Sequence, residues 1–180
     1  MILTLTPNPS LDFSLAVQTM ERGGVCRATG VRREAGGKGV NVAHVIAKAG
    51  HTTRAIAPCG QHDPFGLAVQ HLGIDFTAVP IASTVRTNTA ITEADGTTTK
   101  INERGPHLST GEREALENEL YRLAPQAQAI VLAGSLPPGL PDNFYAQVVT
   151  TLRSQAGTGE TVLAVDTSDA ALTALGSELD

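Results

Sequence analysis

Two five-residue runs, Ala-Ile-Val-Leu-Ala at 129–133 and Thr-Val-Leu-Ala-Val at 161–165, are apolar at nearly every position. A strand of that composition is covered on both faces, which is the condition of a parallel sheet with helices on each side. Residues 2–6, ended by Pro7, and 53–57 read as further strands of the same kind. Helical segments fall between them. Gly36-Gly37-Lys38-Gly39 opens a helix on which Val42, Val45, Ile46 and Ala49 recur at helical spacing before Gly50. Asp63 and Pro64 predict the N-cap and first position of a helix to Leu72. Ser109-Thr110-Gly111-Glu112 is a capping box ahead of a stripe of Leu116, Leu120 and Leu123. Asp142 is expected to cap a helix running to about Arg153, and another begins near Ala170. Strand–helix alternation of this kind predicts an α/β fold.

Segment 84–103 breaks the pattern. Residues 85–93 and 97–102 are Thr-rich and polar, and Asp95-Gly96 between them predicts a two-residue type I′ turn. So polar a hairpin has a wet face. With the half-polar extended segments 13–18 and 25–33, it is expected to form a small antiparallel sheet beside the main body.

Composition narrows the partners. The 180 residues carry a net charge of -5, without the basic excess of a nucleic-acid footprint. No apolar run approaches the roughly 20 residues that span a bilayer, and Pro7 interrupts any signal-peptide pattern. Cys26 and Cys59 form no CxxC pair and read as reduced thiols. A cytoplasmic protein is expected. His44 reads as a packed residue, and no metal-ligand spacing joins the five histidines.

Ligands of open α/β sheets bind beyond the carboxyl ends of the strands, and three stretches lie there. In Pro7-Asn8-Pro9-Ser10-Leu11-Asp12 two prolines stiffen a turn that presents Asp12, either as an acceptor for two sugar hydroxyls or as a turn-capping carboxylate. Ala35-Gly36-Gly37-Lys38-Gly39-Val40-Asn41 matches neither a Walker A loop nor a dinucleotide fingerprint. It is a flexible turn or an anion site, with Lys38 beside a helix N-terminus and Asn41 in its first turn. Gly134-Ser135-Leu136-Pro137-Pro138-Gly139 is a stiff loop that offers Ser135 and backbone amides, or merely reverses the chain. Arg86, Lys100 and Glu103 lie on the polar hairpin, where charges are commonly just solvated.

Taken in order, these stretches resemble the PfkB family of ribokinase-like carbohydrate kinases. The resemblance covers essentially the whole chain. Thr87-Asn88, Asn102-Glu103 and Asp166-Thr167-Ser168 add to it. The details are similar to the branch that phosphorylates sugar phosphates, the 1-phosphofructokinases and tagatose-6-phosphate kinases. The resemblance implies one ribokinase-like domain over 1–180, incomplete at its C-terminal side, with lid segments at about 11–34 and 84–103. It implies ATP and Mg²⁺, a homodimer formed through the β lid, and a ketohexose phosphate as acceptor, fructose 1-phosphate before tagatose 6-phosphate. A non-catalytic sugar-phosphate-binding remnant of the same fold is the other reading. By the resemblance Asp12 binds sugar hydroxyls, and Gly37, Lys38 and Asn41 line the sugar and its phosphate. Arg86 pairs with the existing phosphate, Ser135 lies at the same pocket, and Lys100 and Glu103 reach in from the lid. The family's Lys-Pro-Asn and Gly-Ala-Gly-Asp motifs do not occur in these residues. The catalytic base is therefore expected beyond residue 180, and the fragment alone is expected to be marginally stable and to turn over no ATP.

Overall fold

The computed structural model describes residues 1–155, 158 and 160–176. Nine strands are described: β1 (Ile2–Leu5), β2 (Ser10–Ala16), β3 (Gly30–Gly36), β4 (Thr53–Gly60), β5 (Asp75–Ile81), β6 (Arg86–Thr92), β7 (Thr98–Asn102), β8 (Ala129–Ala133) and β9 (Val162–Asp166). The helices are α1 (Lys38–Lys48), α2 (Pro64–Gln70), α3 (Thr110–Leu123), α4 (Phe144–Ser154) and α5 (Asp169–Leu175).

The main sheet is parallel throughout, in the order β5-β4-β1-β8-β9. Its side chains alternate between two cores, as a pleated strand requires. Leu3, Leu5, Ile56, Ile130 and Leu132 point into one core with Leu116, Leu120, Phe144 and Leu152 of α3 and α4. Ala55 and Ala57 point into the other with Val40 and Ala43 of α1 and Phe65 and Val69 of α2. Small residues on that second face bring α1 close to β1. Helix α1 buries Gly39, Val40 and Ala43 rather than its Val42–Ala49 stripe, and Val45 stays 65% exposed.

Strand β5 was not signalled by the sequence. It is the sheet edge, opens on an exposed Asp75 and contains Pro80, which an edge strand tolerates because its outer N–H groups need no partner. Val79 and Ile81 still enter the first core.

The second sheet has the order β3-β2-β6-β7. Its outer pairs are antiparallel as expected, but the central pair β2–β6 is parallel. The cause is topological. β2 continues from β1 and β6 follows β5, so both leave parallel strands of the main sheet from their carboxyl ends. Asp12 consequently sits within β2, opposite Asn88, and not in the Pro7–Pro9 turn.

Two further expectations are corrected. The β6–β7 connection is not a type I′ turn. Gly96 has φ 91°, but Asp95 is not in the left-handed region, and Glu93 N–H donates to the Thr97 carbonyl around a three-residue loop. The Asp95 carboxylate instead accepts from Thr97 N–H at 2.8 Å. The N-cap of α4 is Asn143, without a side-chain cap bond, and Asp142 lies in a surface hollow described below. The other two caps form as read. Asp63 caps α2, with Pro64 at the first position. Ser109 and Glu112 close a reciprocal box on α3, and Glu112 also accepts from Ala82 N–H at 2.7 Å. These backbone N–H bonds, Ala82 foremost, hold the Glu112 carboxyl below its ordinary range.

Cys26 is exposed, Cys59 is buried, and neither is paired. No helix among the described residues is long and apolar enough to cross a membrane.

Candidate functional site

The carboxyl end of β1 is where the two sheets meet, and Asn8 organises that junction. It is 3% exposed. Its amide Nδ2 donates to the Arg104 carbonyl at 3.0 Å and to Ser135 Oγ at 3.2 Å. Its own carbonyl accepts from Arg86 Nη2 at 3.2 Å. One residue, through its side chain and its main-chain carbonyl, thus joins the loop after β1, the start of β6, the segment after β7 and the loop after β8. Nothing along the chain marks this role of Asn8, because its partners lie 78 to 127 positions away.

Arg86 is held from both sides, since Nη1 also donates to the Glu103 carbonyl at 3.2 Å. Burial lowers its pKa from the ordinary guanidinium value, and the nearby charge of Asp12 opposes that fall. Its Nε is buried without a partner among the described residues, as is Asn8 Oδ1. Arg86, Asn8 and Ser135 line a hollow of about 370 Å³ together with Arg104, Asp142 and the Leu136–Pro138 stretch.

Asp12 lies on the adjacent part of the lid. Its Oδ1 accepts from Ser10 Oγ at 2.7 Å and from Asn88 Nδ2 at 3.2 Å. Oδ2 has no hydrogen bond among the described residues and faces Gly36, where a Cβ would overlap the carboxylate. The missing side chain at Gly36 therefore makes room for the carboxylate, and Oδ2 is the oxygen left without a donor. Asp12, Asn88 and Lys100 share a second hollow of about 270 Å³. Ser10 and Asn88 orient this carboxylate; Ser10 lies two residues away on the same strand, while only the register of β2 against β6 reveals Asn88.

Gly37 is the N-cap of α1 at φ 116°, in a region L side chains rarely adopt, and a Cβ there would lie 2.7 Å from Thr6 Cγ2. Lys38 follows as the first residue of α1, and its Nζ bonds Asp166 Oδ1 at 2.8 Å, across from the end of β9. Asn41 is exposed on the first turn of α1. Glu103 is differently engaged: its Oε2 accepts from Thr87 N–H at 2.8 Å, which closes the β6–β7 ladder. The structure thus gathers Arg86 and Ser135 around Asn8, sets Asp12 beside Asn88 in a neighbouring hollow, places Gly37, Lys38 and Asn41 at the start of α1, and ties Glu103 into the backbone of the second sheet.

A larger hollow of about 960 Å³ lies elsewhere, between α2 and the ends of β4 and β5. It is lined mainly by apolar groups, and its buried carboxylate, Asp63, is saturated by two backbone N–H groups. The chemistry-bearing residues are in the smaller hollows. Among the described residues no three histidines, cysteines or carboxylates converge as metal ligands. Asp166 is paired with Lys38, so these residues do not by themselves make a magnesium or nucleotide cradle.

A parallel α/β core with a separate four-stranded sheet beyond its strand ends is the ribokinase-like architecture, and residues 10–176 match the pfkB family of carbohydrate kinases. The chain belongs to that family. It is 34% identical over 175 residues to a 1-phosphofructokinase of Xanthomonas campestris pv. campestris, covering 96% of this chain and 54% of that protein. Phosphofructokinase-2 from Escherichia coli, solved in complex with substrates and products, superposes with a TM-score of 0.85 at 29% identity, over 96% of this chain and 56% of that one. A possible 1-phosphofructokinase from Thermotoga maritima shares the fold with a TM-score of 0.85 at 21% identity, over 97% of this chain and 56% of its own. The chain spans about half the length of these relatives.

Proposed function

We propose that this chain supplies the acceptor side of an ATP-dependent sugar-phosphate kinase, which converts fructose 1-phosphate to fructose 1,6-bisphosphate. The observation that carries this reading is the hollow in which Arg86 and Ser135 are held by one buried asparagine, a short way from a carboxylate with one free oxygen. A cation and a hydroxyl suit the ester phosphate already on the sugar. The free oxygen of Asp12 suits its ring hydroxyls. The name of the 34%-identical relative favours fructose 1-phosphate among the possible acceptors.

In this reading each residue positions or neutralises, which is most of what phosphoryl transfer asks of a protein. Arg86 and Ser135 hold the existing phosphate. Asp12 orients the sugar, with Asn41 as a further hydrogen-bonding partner. Gly37 lets the backbone at the start of α1 approach the ligand. Lys38 offers its charge to phosphate once it leaves Asp166. Lys100 comes with the lid, whose closure excludes water from the transfer. ATP and Mg²⁺ belong to this proposal through the family, as does a proton acceptor for the attacking hydroxyl. Asp12 does not fill that last role, because it clamps hydroxyls of the acceptor.

The test is calorimetric titration of this chain with fructose, fructose 1-phosphate, fructose 6-phosphate and tagatose 6-phosphate. Fructose 1-phosphate is expected to bind at least about tenfold more tightly than fructose, the scale of one charge-assisted contact. Equal affinities for the two would remove the phosphate subsite. A preference for tagatose 6-phosphate would select that kinase instead.

The same reading places a homodimer contact on the lid. The outer strands β3 and β7 expose Val31 (52%) and Ile101 (57%). Arg33 also stacks on Phe13, 4.5 Å from the ring centroid. Sedimentation equilibrium should show a dimer that Val31→Glu with Ile101→Glu dissociates. A wild-type monomer, or a dimer indifferent to both changes, would move the contact elsewhere.

A further inference from the structure

We propose that Arg104 is a second cation directed at the acceptor's phosphate, and that it sets the preference for a phosphorylated over a neutral sugar. The inference rests on the sugar-phosphate reading above.

Arg104 follows the end of β7, and an exposed arginine at the end of a strand is ordinarily just solvated. Three observations separate it from that case. Its backbone is pinned, because its carbonyl accepts from the same Asn8 amide that donates to Ser135. The next residue, Gly105, has φ 98°, and a Cβ there would overlap Asn8 Oδ1, so the segment lies tight against the junction. Arg104 lines the same hollow as Arg86 and Ser135. Like Arg22, Arg27, Arg33 and Arg153, Arg104 has no ion-pair partner among the described residues, so it is the place of its segment, not the lack of a carboxylate, that sets it apart.

Charge decides the matter. A phosphate monoester carries about -1.5 to -2 at neutral pH. The hollow offers it Arg86, whose two terminal nitrogens already donate to the carbonyls of Asn8 and Glu103. It also presents Asp142, a carboxylate that repels the ligand. Arg86 and Asp142 together sum to zero. Arg104 makes the hollow net positive and adds the planar donor fork that matches phosphate oxygens. Arg86 then fixes the buried side of the phosphate, and Arg104 closes on it from the exposed side.

The experiment measures the affinities of this chain for fructose 1-phosphate and fructose, in wild type, Arg104→Ala, Arg104→Lys and Arg86→Ala, at low and at high salt. The ratio of the two affinities is the readout, and a general structural defect does not change that ratio selectively. Arg104→Ala is expected to lower the ratio about tenfold. Arg104→Lys should lower it less, since it keeps the charge and loses the fork. The difference from wild type should shrink in high salt, as for an exposed charge. If Arg104→Ala lowers the melting temperature, Arg104→Gln, which keeps most of the stem, carries the comparison. An unchanged ratio at position 104 while Arg86→Ala lowers it overturns the role of Arg104 and leaves the sugar-phosphate reading standing. A wild-type chain without preference for the phosphate overturns both.

Discussion

Alanine at position 12 is expected to weaken the binding of fructose 1-phosphate about a hundredfold, close to 2.7 kcal/mol, while the chain stays folded. The carboxylate is prepared for this role by its neighbours. Ser10 and Asn88 both donate to Oδ1, which fixes the rotamer and leaves Oδ2 without a donor among the described residues. A sugar presenting two hydroxyls there gains two hydrogen bonds to an ionised acceptor, each worth about 1.5–3 kcal/mol. Folding depends on the residue far less. Asp12 and Asn88 are only partly buried, so the loss falls mainly on the Ser10 hydroxyl, which is 1% exposed and left without its acceptor. Asp12→Asn should fall between wild type and alanine, since it keeps the shape and loses the charge. Titration calorimetry gives the affinity, and a melting curve reports the fold. An affinity within about threefold of wild type, a difference of some 0.7 kcal/mol, would take Asp12 out of the binding site.

The largest loss of stability is expected from Asp63→Ala, about 3 kcal/mol from urea unfolding. Asp63 is 6% exposed, and both of its oxygens are engaged. Oδ1 caps α2 by accepting from Phe65 N–H at 2.9 Å, and Oδ2 accepts from Val85 N–H at 2.6 Å. Alanine removes the cap and leaves two N–H groups buried without partners, each costing about 1–3 kcal/mol. Against a typical net stability of about 5–15 kcal/mol, that is a large share. Asp63→Asn retains an oxygen for one donor but turns an amide NH₂ toward the other, and should lose roughly half as much. Val85 immediately precedes Arg86, so Asp63→Ala should also loosen the start of β6 and weaken fructose 1-phosphate binding. A loss below about 1 kcal/mol, no more than an ordinary exposed cap, would show that the bond to Val85 contributes nothing.

The elements legible in the sequence are those made by neighbours along the chain. The reciprocal cap of Ser109 and Glu112 and the cap of α2 by Asp63 with Pro64 complete within a few residues, and the apolar composition of β8 marks a buried strand without its partners. β9, whose similar run predicts cover on both faces, is instead an edge among the described strands and exposes Val162 and Ala164. β5 was missed because an edge strand needs no continuous apolar run and accepts Pro80. The α4 cap was misplaced by one residue, since Asp142 and Asn143 are both good capping types and only the course of the backbone chooses between them. The turn after β6 was misjudged for a similar reason. Asp-Gly suits a two-residue loop, yet Asp95 stays outside the left-handed region and the loop takes three residues.

The candidate site divides along the same line. The residue types with binding chemistry were visible in Asp12, the Gly36–Asn41 turn, Arg86 and Ser135. Their arrangement was not. That Asn8 holds Arg86, Arg104 and Ser135, that Lys38 reaches Asp166 across 128 positions, and that Asp12 pairs in register with Asn88 all depend on contacts far apart in sequence. The sequence alone determined the layered α/β class and the family, because buried strands, helix caps and glycine turns are local consequences of side-chain size, polarity and backbone freedom. The tertiary structure decided which strands pair, that the centre of the lid is parallel, and which charges face one another. Hydrogen-bond ladders and ion pairs join whichever groups the folded chain brings within about 3 Å, and no spacing along the chain records that.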